Sequence, residues 1–125
     1  MKALEGLKVL DLTSALNGPF CTTMLADHGA DVIKFEPPAG EQCRTWGPLD
    51  EKSGESGFYA FLNRNKKGCT LNLKNEKARE MFYELVKDAD AVVENYRPGV
   101  TKKLGVDYET LKKIMNAKVH SPSFK

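Results

Sequence analysis

The chain lacks any run of about eighteen apolar residues, the length a membrane-spanning helix requires. It has only two histidines, His28 and His120, far apart, and no H-E-x-x-H or Cys/His cluster, so no metal site is expected. The three cysteines, Cys21, Cys43 and Cys69, are odd in number and widely spaced, and no C-x-x-C pair occurs. Reduced thiols are the simplest reading, and a cytoplasmic setting is expected. Residues 1–11 mix charge and apolar side chains too finely for a signal peptide. The net charge is only +2, without the concentrated basic face of a nucleic-acid binder. The glycine fingerprint G-x-G-x-x-G, the P-loop motif and the G-x-S-x-G elbow are all absent, which argues against a nicotinamide-binding protein, a P-loop nucleotide hydrolase and a serine hydrolase of that type.

What is present is an alternation of periods. Residues 8–12 (KVLDL) read as a buried strand. Pro19 then fits a first helical turn, where a missing N–H has no cost. Phe20, Cys21, Met24 and Leu25 follow at helical spacing, and Gly29 is placed to end that helix. Residues 30–36 read as a second strand, stopped by Pro37 and Pro38. This is a β-α-β unit. Residues 39–56 form a long polar loop, and residues 57–65 a short helix. Cys69, Leu71 and Leu73 alternate with polar residues, predicting a third strand. Asn75 is the expected cap of a helix whose Ala78, Met81, Phe82, Leu85, Val86 and Ala89 form one apolar stripe. Residues 91–95 predict a fourth strand. A helical turn over residues 101–104 closes at Gly105, and Asp107 caps a last helix through Leu111, Ile114 and Met115.

Alternating strands and helices predict an α/β fold, a Rossmann-like, mainly parallel sheet with helices on both faces. Sheets of this kind bind ligands at the carboxyl ends of their strands. Here those ends are the 13–17 turn, the 36–44 loop, Lys74 and the 95–97 turn. A helix start and basic or amide side chains there suit phosphate groups, so an anionic, nucleotide-like ligand is expected.

Six strings occur in order: LKVLDLT at 7–13, GPFCT at 18–22, LADHGADVIKFEP at 25–37, NRNKKG at 63–68, LNLK at 71–74 and ENYRPGV at 94–100. They resemble the successive N-terminal motifs of the class III CoA-transferases, a family that includes formyl-CoA and carnitine CoA-transferases and the α-methylacyl-CoA racemases. The resemblance runs from about Leu4 to Met115. It implies the N-terminal fragment of the family's large domain, an interlocked homodimer in the parent protein, and transfer of CoA between carboxylic acids through an aspartyl mixed anhydride. It implies that Ser14, Ala15 and Leu16 contact CoA beside the thioester and that Arg44 faces its phosphates. Leu71 and Lys74, with Asn95, Tyr96 and Arg97, would line the nucleotide part, and Lys103 its rim. CoA would act as a substrate ligand; no tightly bound cofactor, nucleic-acid partner or membrane partner is implied.

Two departures stand out. Pro37 and Pro38 occupy the place where some branches carry a basic residue. Residues 116–125 diverge from the family's continuation, so the expectation is one partial CoA-binding domain over 1–125 that is truncated before the catalytic aspartate and inactive alone. No catalytic residue is assigned. The insertion over residues 46–56 leans toward transferases over racemases, and a non-catalytic interaction module is the other alternative.

Several residues also have plain structural readings. Asp11 and Asp27 read as strand-end and helix-face residues, Cys21 as core packing, and His28 as a helix-end residue. Lys66 and Lys67 form either a phosphate patch or a solvated turn. Lys102, Lys103, Lys112 and Lys113 fit helix-face charges, and Tyr96 either stacks on adenine or packs on the sheet end. Arg44 and Arg97 are the leading functional candidates.

Overall fold

The computed structural model describes residues 1–115; the expectations for residues 116–125 lie outside them. Four parallel strands, β1 (Lys8–Asp11), β2 (Asp31–Glu36), β3 (Lys67–Thr70) and β4 (Ala91–Val93), form one sheet in the order β3-β2-β1-β4. Val9 pairs with Val32 on one side of β1 and with Ala91 on the other. Because strand side chains alternate, β1 sends Val9 to one face and Leu10 to the other.

The helices divide between these faces. Val9, Val32, Ala26 and Ala30 form one small core, placing helix α1 (Asn17–Asp27) on that side. Leu10, Phe35, Val92, Phe82, Val86, Leu111 and Met115 form the larger core, with α3 (Glu76–Asp88) and α5 (Tyr108–Ile114) on the other. Each such buried side chain contributes roughly 1.5–3 kcal/mol. Phe35 meets Phe82 edge to face, with ring centroids 5.2 Å apart. Short helices α2 (Gly57–Asn63) and α4 (Val100–Leu104) complete the α/β arrangement.

Local signals placed several element ends. The Asn75 side chain accepts from the Ala78 N–H at 3.2 Å, capping α3 as expected, and Ser56 caps α2 through the Tyr59 N–H at 3.1 Å. Asp107 does sit at the N-cap of α5, but its carboxylate accepts from the Thr110 hydroxyl and from no backbone N–H.

The structure corrects four sequence readings. The third strand ends at Thr70, so Leu71 and Leu73 lie beyond it. Residues 39–56 hold a 3₁₀ turn at Gln42–Thr45 and a bridge from Leu49 to Ser56. Within the α3 stripe, Phe82, Val86 and Ala89 are buried, but Met81 and Leu85 are exposed. The largest correction concerns α1. Of its expected apolar face, Phe20, Cys21 and Met24 are exposed and only Leu25 packs against the core, while Thr22, Thr23 and Ala26 are buried. The threonines go inside because partners await them there: the Thr22 hydroxyl donates to Asp11 Oδ2 at 2.6 Å, and that of Thr23 reaches the Pro19 and Leu62 carbonyls. A satisfied hydroxyl removes the penalty that would keep it at the surface.

Candidate functional site

The chain runs outward from β1 to β2 and β3, then returns to the far side of β1 for β4. Parallel sheets bind ligands at the carboxyl ends of their strands, and here the segments that follow β1 and β4 meet through Ser14 and Asn95. A cavity of about 350 Å³ lies at these strand ends. Leu12, Phe35, Leu71, Leu73, Tyr96 and Leu104 give it an apolar wall; Thr13, Ser14, Glu36, Glu41, Asn72 and Lys74 supply polar groups. Apolar walls with a few placed polar groups are characteristic of small-molecule sites of this size.

The 13–15 turn at its edge is held by side chains on every peptide group. The Thr13 N–H donates to Asp11 Oδ1 at 2.8 Å, and its carbonyl accepts from Lys34 Nζ. Ser14 exchanges two bonds with one side chain: its N–H donates to Asn95 Oδ1 at 2.9 Å, and its carbonyl accepts from Asn95 Nδ2 at 2.8 Å. The Ala15 N–H donates to Glu41 Oε1 at 2.9 Å, and its carbonyl accepts from the Cys43 thiol at 3.2 Å. Gly18 makes room for this turn, since a Cβ there would lie 2.4 Å from Thr13 Cβ and 3.0 Å from Asn95 Cγ.

Beneath the turn lies a buried ion pair. Lys66 Nζ stands 3.0 Å from Asp11 Oδ2, with the two side chains 1% and 0% exposed. The ammonium also donates to the Pro19 carbonyl, Thr22 Oγ1 and Asn63 Oδ1 at 2.8–3.1 Å. Burial holds the Lys66 pKa below the ordinary lysine range, against the attraction of Asp11. Lys66 is thus neither a solvated turn residue nor free for phosphate; it ties β1, α1 and the α2–β3 connection together. Lys67 pairs with Asp31 at the surface. Asp11 has the structural role expected of it, as does Asp27, which accepts from Arg64 and Asn65. His28 sits at the α1 end with Nδ1 2.7 Å from the Met24 carbonyl.

A second charged group borders the cavity. Arg44 makes a bidentate pair with Glu36, at 2.7 and 2.8 Å, and stacks 4.0 Å over the Tyr59 ring. The Tyr59 hydroxyl donates to Glu36 at 2.5 Å, and the Glu41 N–H adds a third partner. Burial alone would raise the Glu36 pKa, but these donors outweigh it and hold it at about 2. Burial, followed by the bond to Glu41, pushes the Cys43 thiol up to about 12.

Among the expected site residues, Ser14, Leu71, Lys74 and Tyr96 line the cavity. Ala15 belongs to the turn beside it, and Asn95, after β4, holds that turn through Ser14. Leu16, the N-cap of α1, is exposed, as are Arg97 and Lys103. Arg44 is engaged with Glu36 while about half its side chain stays open to solvent. Sequence reasoning passed over Lys34, Glu36, Glu41 and Tyr59. The signal for the first two was available: charged residues in a strand run, Lys34 inside it and Glu36 at its end, which require partners when buried. Among the described residues no cluster fit for a metal occurs, and no helix is long and apolar enough to cross a membrane.

Comparison with known proteins places this geometry. The sequence profile of CoA-transferase family III matches residues 4–119. An acetyl-CoA:oxalate CoA-transferase of Acetobacter aceti is 48% identical over 120 residues, covering 95% of this chain and 30% of the relative. A human succinyl-CoA:glutarate CoA-transferase is 47% identical over 115 residues, covering 91% and 26%. The crystal structure of a CAIB/BAIF family protein from Brucella suis superposes with a TM-score of 0.88 at 40% identity, over 95% of this chain and 32% of that one. The chain thus spans under a third of the length of these curated relatives. With the profile covering nearly all of its residues, the chain belongs to CoA-transferase family III.

Proposed function

We propose that this chain forms the CoA-binding part of a transferase that moves CoA between an acyl-CoA and a carboxylic acid. The observation that carries this reading is the strand-end cavity, bordered by a turn whose peptide groups are held by side chains of this chain. Its volume and apolar wall suit a nucleoside-sized part of CoA, with Tyr96 and Leu104 beside Leu71. Lys74 at the cavity and the exposed Arg97 and Lys103 near it offer cations for the phosphates. The Ser14–Ala15 turn lies toward the thioester, and pre-ordering it lowers the cost of holding the acyl group in place.

Acyl transfer through an aspartyl mixed anhydride needs an accessible carboxylate as nucleophile. Asp11 is enclosed and fully engaged, and Glu36 is locked to Arg44, so neither fits that task. In this reading the described residues bind and orient CoA, while the nucleophile lies outside them. Which carboxylic acid accepts CoA is a property of the whole protein; the relatives named above act on oxalate and on glutarate.

Calorimetric titration of the chain with CoA tests the reading. Saturable binding is expected, weakened at least about tenfold in the Tyr96→Ala, Lys74→Ala double variant, equivalent to the loss of about 1.4 kcal/mol. No heat at millimolar CoA, or equal binding by the double variant, would overturn it.

A further inference from the structure

Ala15 is one of only two non-glycine residues with positive φ among the described residues, at +67°. An L-residue resists that region because Cβ crowds its own backbone. Something must hold it there. The Ala15 N–H points at Glu41 Oε1, 2.9 Å away, across 26 residues of sequence. Glu41 is itself held in place: its own N–H donates to Glu36 Oε2 at 2.8 Å, and Glu36 is clamped by Arg44 and Tyr59. One oxygen of the Glu41 carboxylate, Oε1, therefore serves the turn, and it also accepts the Cys43 N–H at 3.4 Å, capping the 3₁₀ turn of its own loop. The other, Oε2, is buried and has no hydrogen-bond partner among the described residues. A buried carboxylate placed to satisfy its own bonding would not leave an oxygen unpartnered. Of the two N–H groups that Glu41 serves, Ala15 is held at 2.9 Å and Cys43 at 3.4 Å, so the shorter bond is the one to Ala15.

We propose that Glu41 is a positioning residue that fixes the ligand-facing turn by holding Ala15 in its left-handed conformation. Its consequence for binding rests on the CoA-binding reading above. The chain Arg44–Glu36–Glu41–Ala15 then gives the loop after β2 control over the turn after β1. Arg44 acts on the site through that chain even when its guanidinium touches no phosphate.

The variants separate this role from mere support of the fold. Glu41→Gln keeps an oxygen for the Ala15 N–H, and should leave both Ala15 amide exchange and CoA affinity within about threefold of the parent chain. Glu41→Ala removes it, and should speed Ala15 exchange and weaken CoA binding by about tenfold each. Adding Ala15→Gly to Glu41→Ala should restore affinity to within about threefold, because glycine adopts this φ without an anchor. A residue that only stabilised the fold would not be rescued at Ala15. If Glu41→Ala fails to fold, Glu41→Asp keeps the charge but withdraws its reach, and should act in the same direction. Unchanged Ala15 exchange in Glu41→Ala or Glu41→Asp, or no rescue by glycine, overturns the proposal. Absence of CoA binding in the parent chain would sink the CoA reading alone, since the exchange measurement decides Glu41 by itself.

Discussion

Replacing Lys66 with methionine tests the buried centre of the molecule. The substitution keeps most of the side-chain volume and removes the ammonium. Asp11 would then keep its bonds from the Thr13 N–H, the Thr13 hydroxyl and the Thr22 hydroxyl, but would lose the only cation paired with it among the described residues. The Pro19 carbonyl and Asn63 Oδ1 would lose a donor as well. Removing one partner of a fully buried ion pair costs about 3–5 kcal/mol, because the other charge stays behind in low dielectric. A domain of this size has about 5–15 kcal/mol of stability in total. The melting temperature should therefore fall by roughly 12–20 °C, taking about 4 °C per kcal/mol. Denaturant unfolding followed by circular dichroism measures the loss directly. The Asp11→Asn, Lys66→Met double variant removes both members of the pair and should be less damaged than the two single losses summed, with a coupling above about 1.5 kcal/mol. A loss below about 1 kcal/mol for Lys66→Met, or simple additivity in the cycle, would refute the reasoning.

Two further outcomes follow from the titrating groups. Glu36 has a folded pKa depressed from 4.5 to about 2, so its contribution is fully present above 4.5 and is lost as pH falls toward about 2. Acid unfolding should show a component of roughly 3 kcal/mol across that window, and Arg44→Gln should move the acid midpoint to higher pH; an unmoved midpoint counts against the clamp. Cys21 is exposed whereas Cys43 is buried with a thiol near 12, so at pH 8 a maleimide should label Cys21 rapidly and Cys43 only on unfolding, as peptide mass mapping would resolve.

Much of this architecture was legible in local sequence. The β1 and β2 runs, the stop at Pro37, the Asn75 cap and the Gly105 close are short-range signals, and each fell near its place. They read well because apolar periodicity, chain breaks and helix caps draw on residues within a few positions. The site was legible only in outline: the four strand ends did converge, and Ser14, Leu71, Lys74 and Tyr96 line one cavity. Arg44 was visible as a cation near that cavity, but its pairing with Glu36 and Tyr59 was not.

Sequence by itself determined the parallel α/β order and the family, because both rest on ordered strings and periods along the chain. Only the tertiary structure decided which side of α1 faces inward. A period places residues on a common side but does not say what waits opposite, and here Asp11 and Lys66, from β1 and the α2–β3 connection, wait for the threonine side. The same holds for the turn at Ala15. Its partners Asn95, Glu41 and Cys43 lie 81, 26 and 28 residues from the groups they bind. Hydrogen bonds of that span leave no periodic trace, so folding alone reveals them.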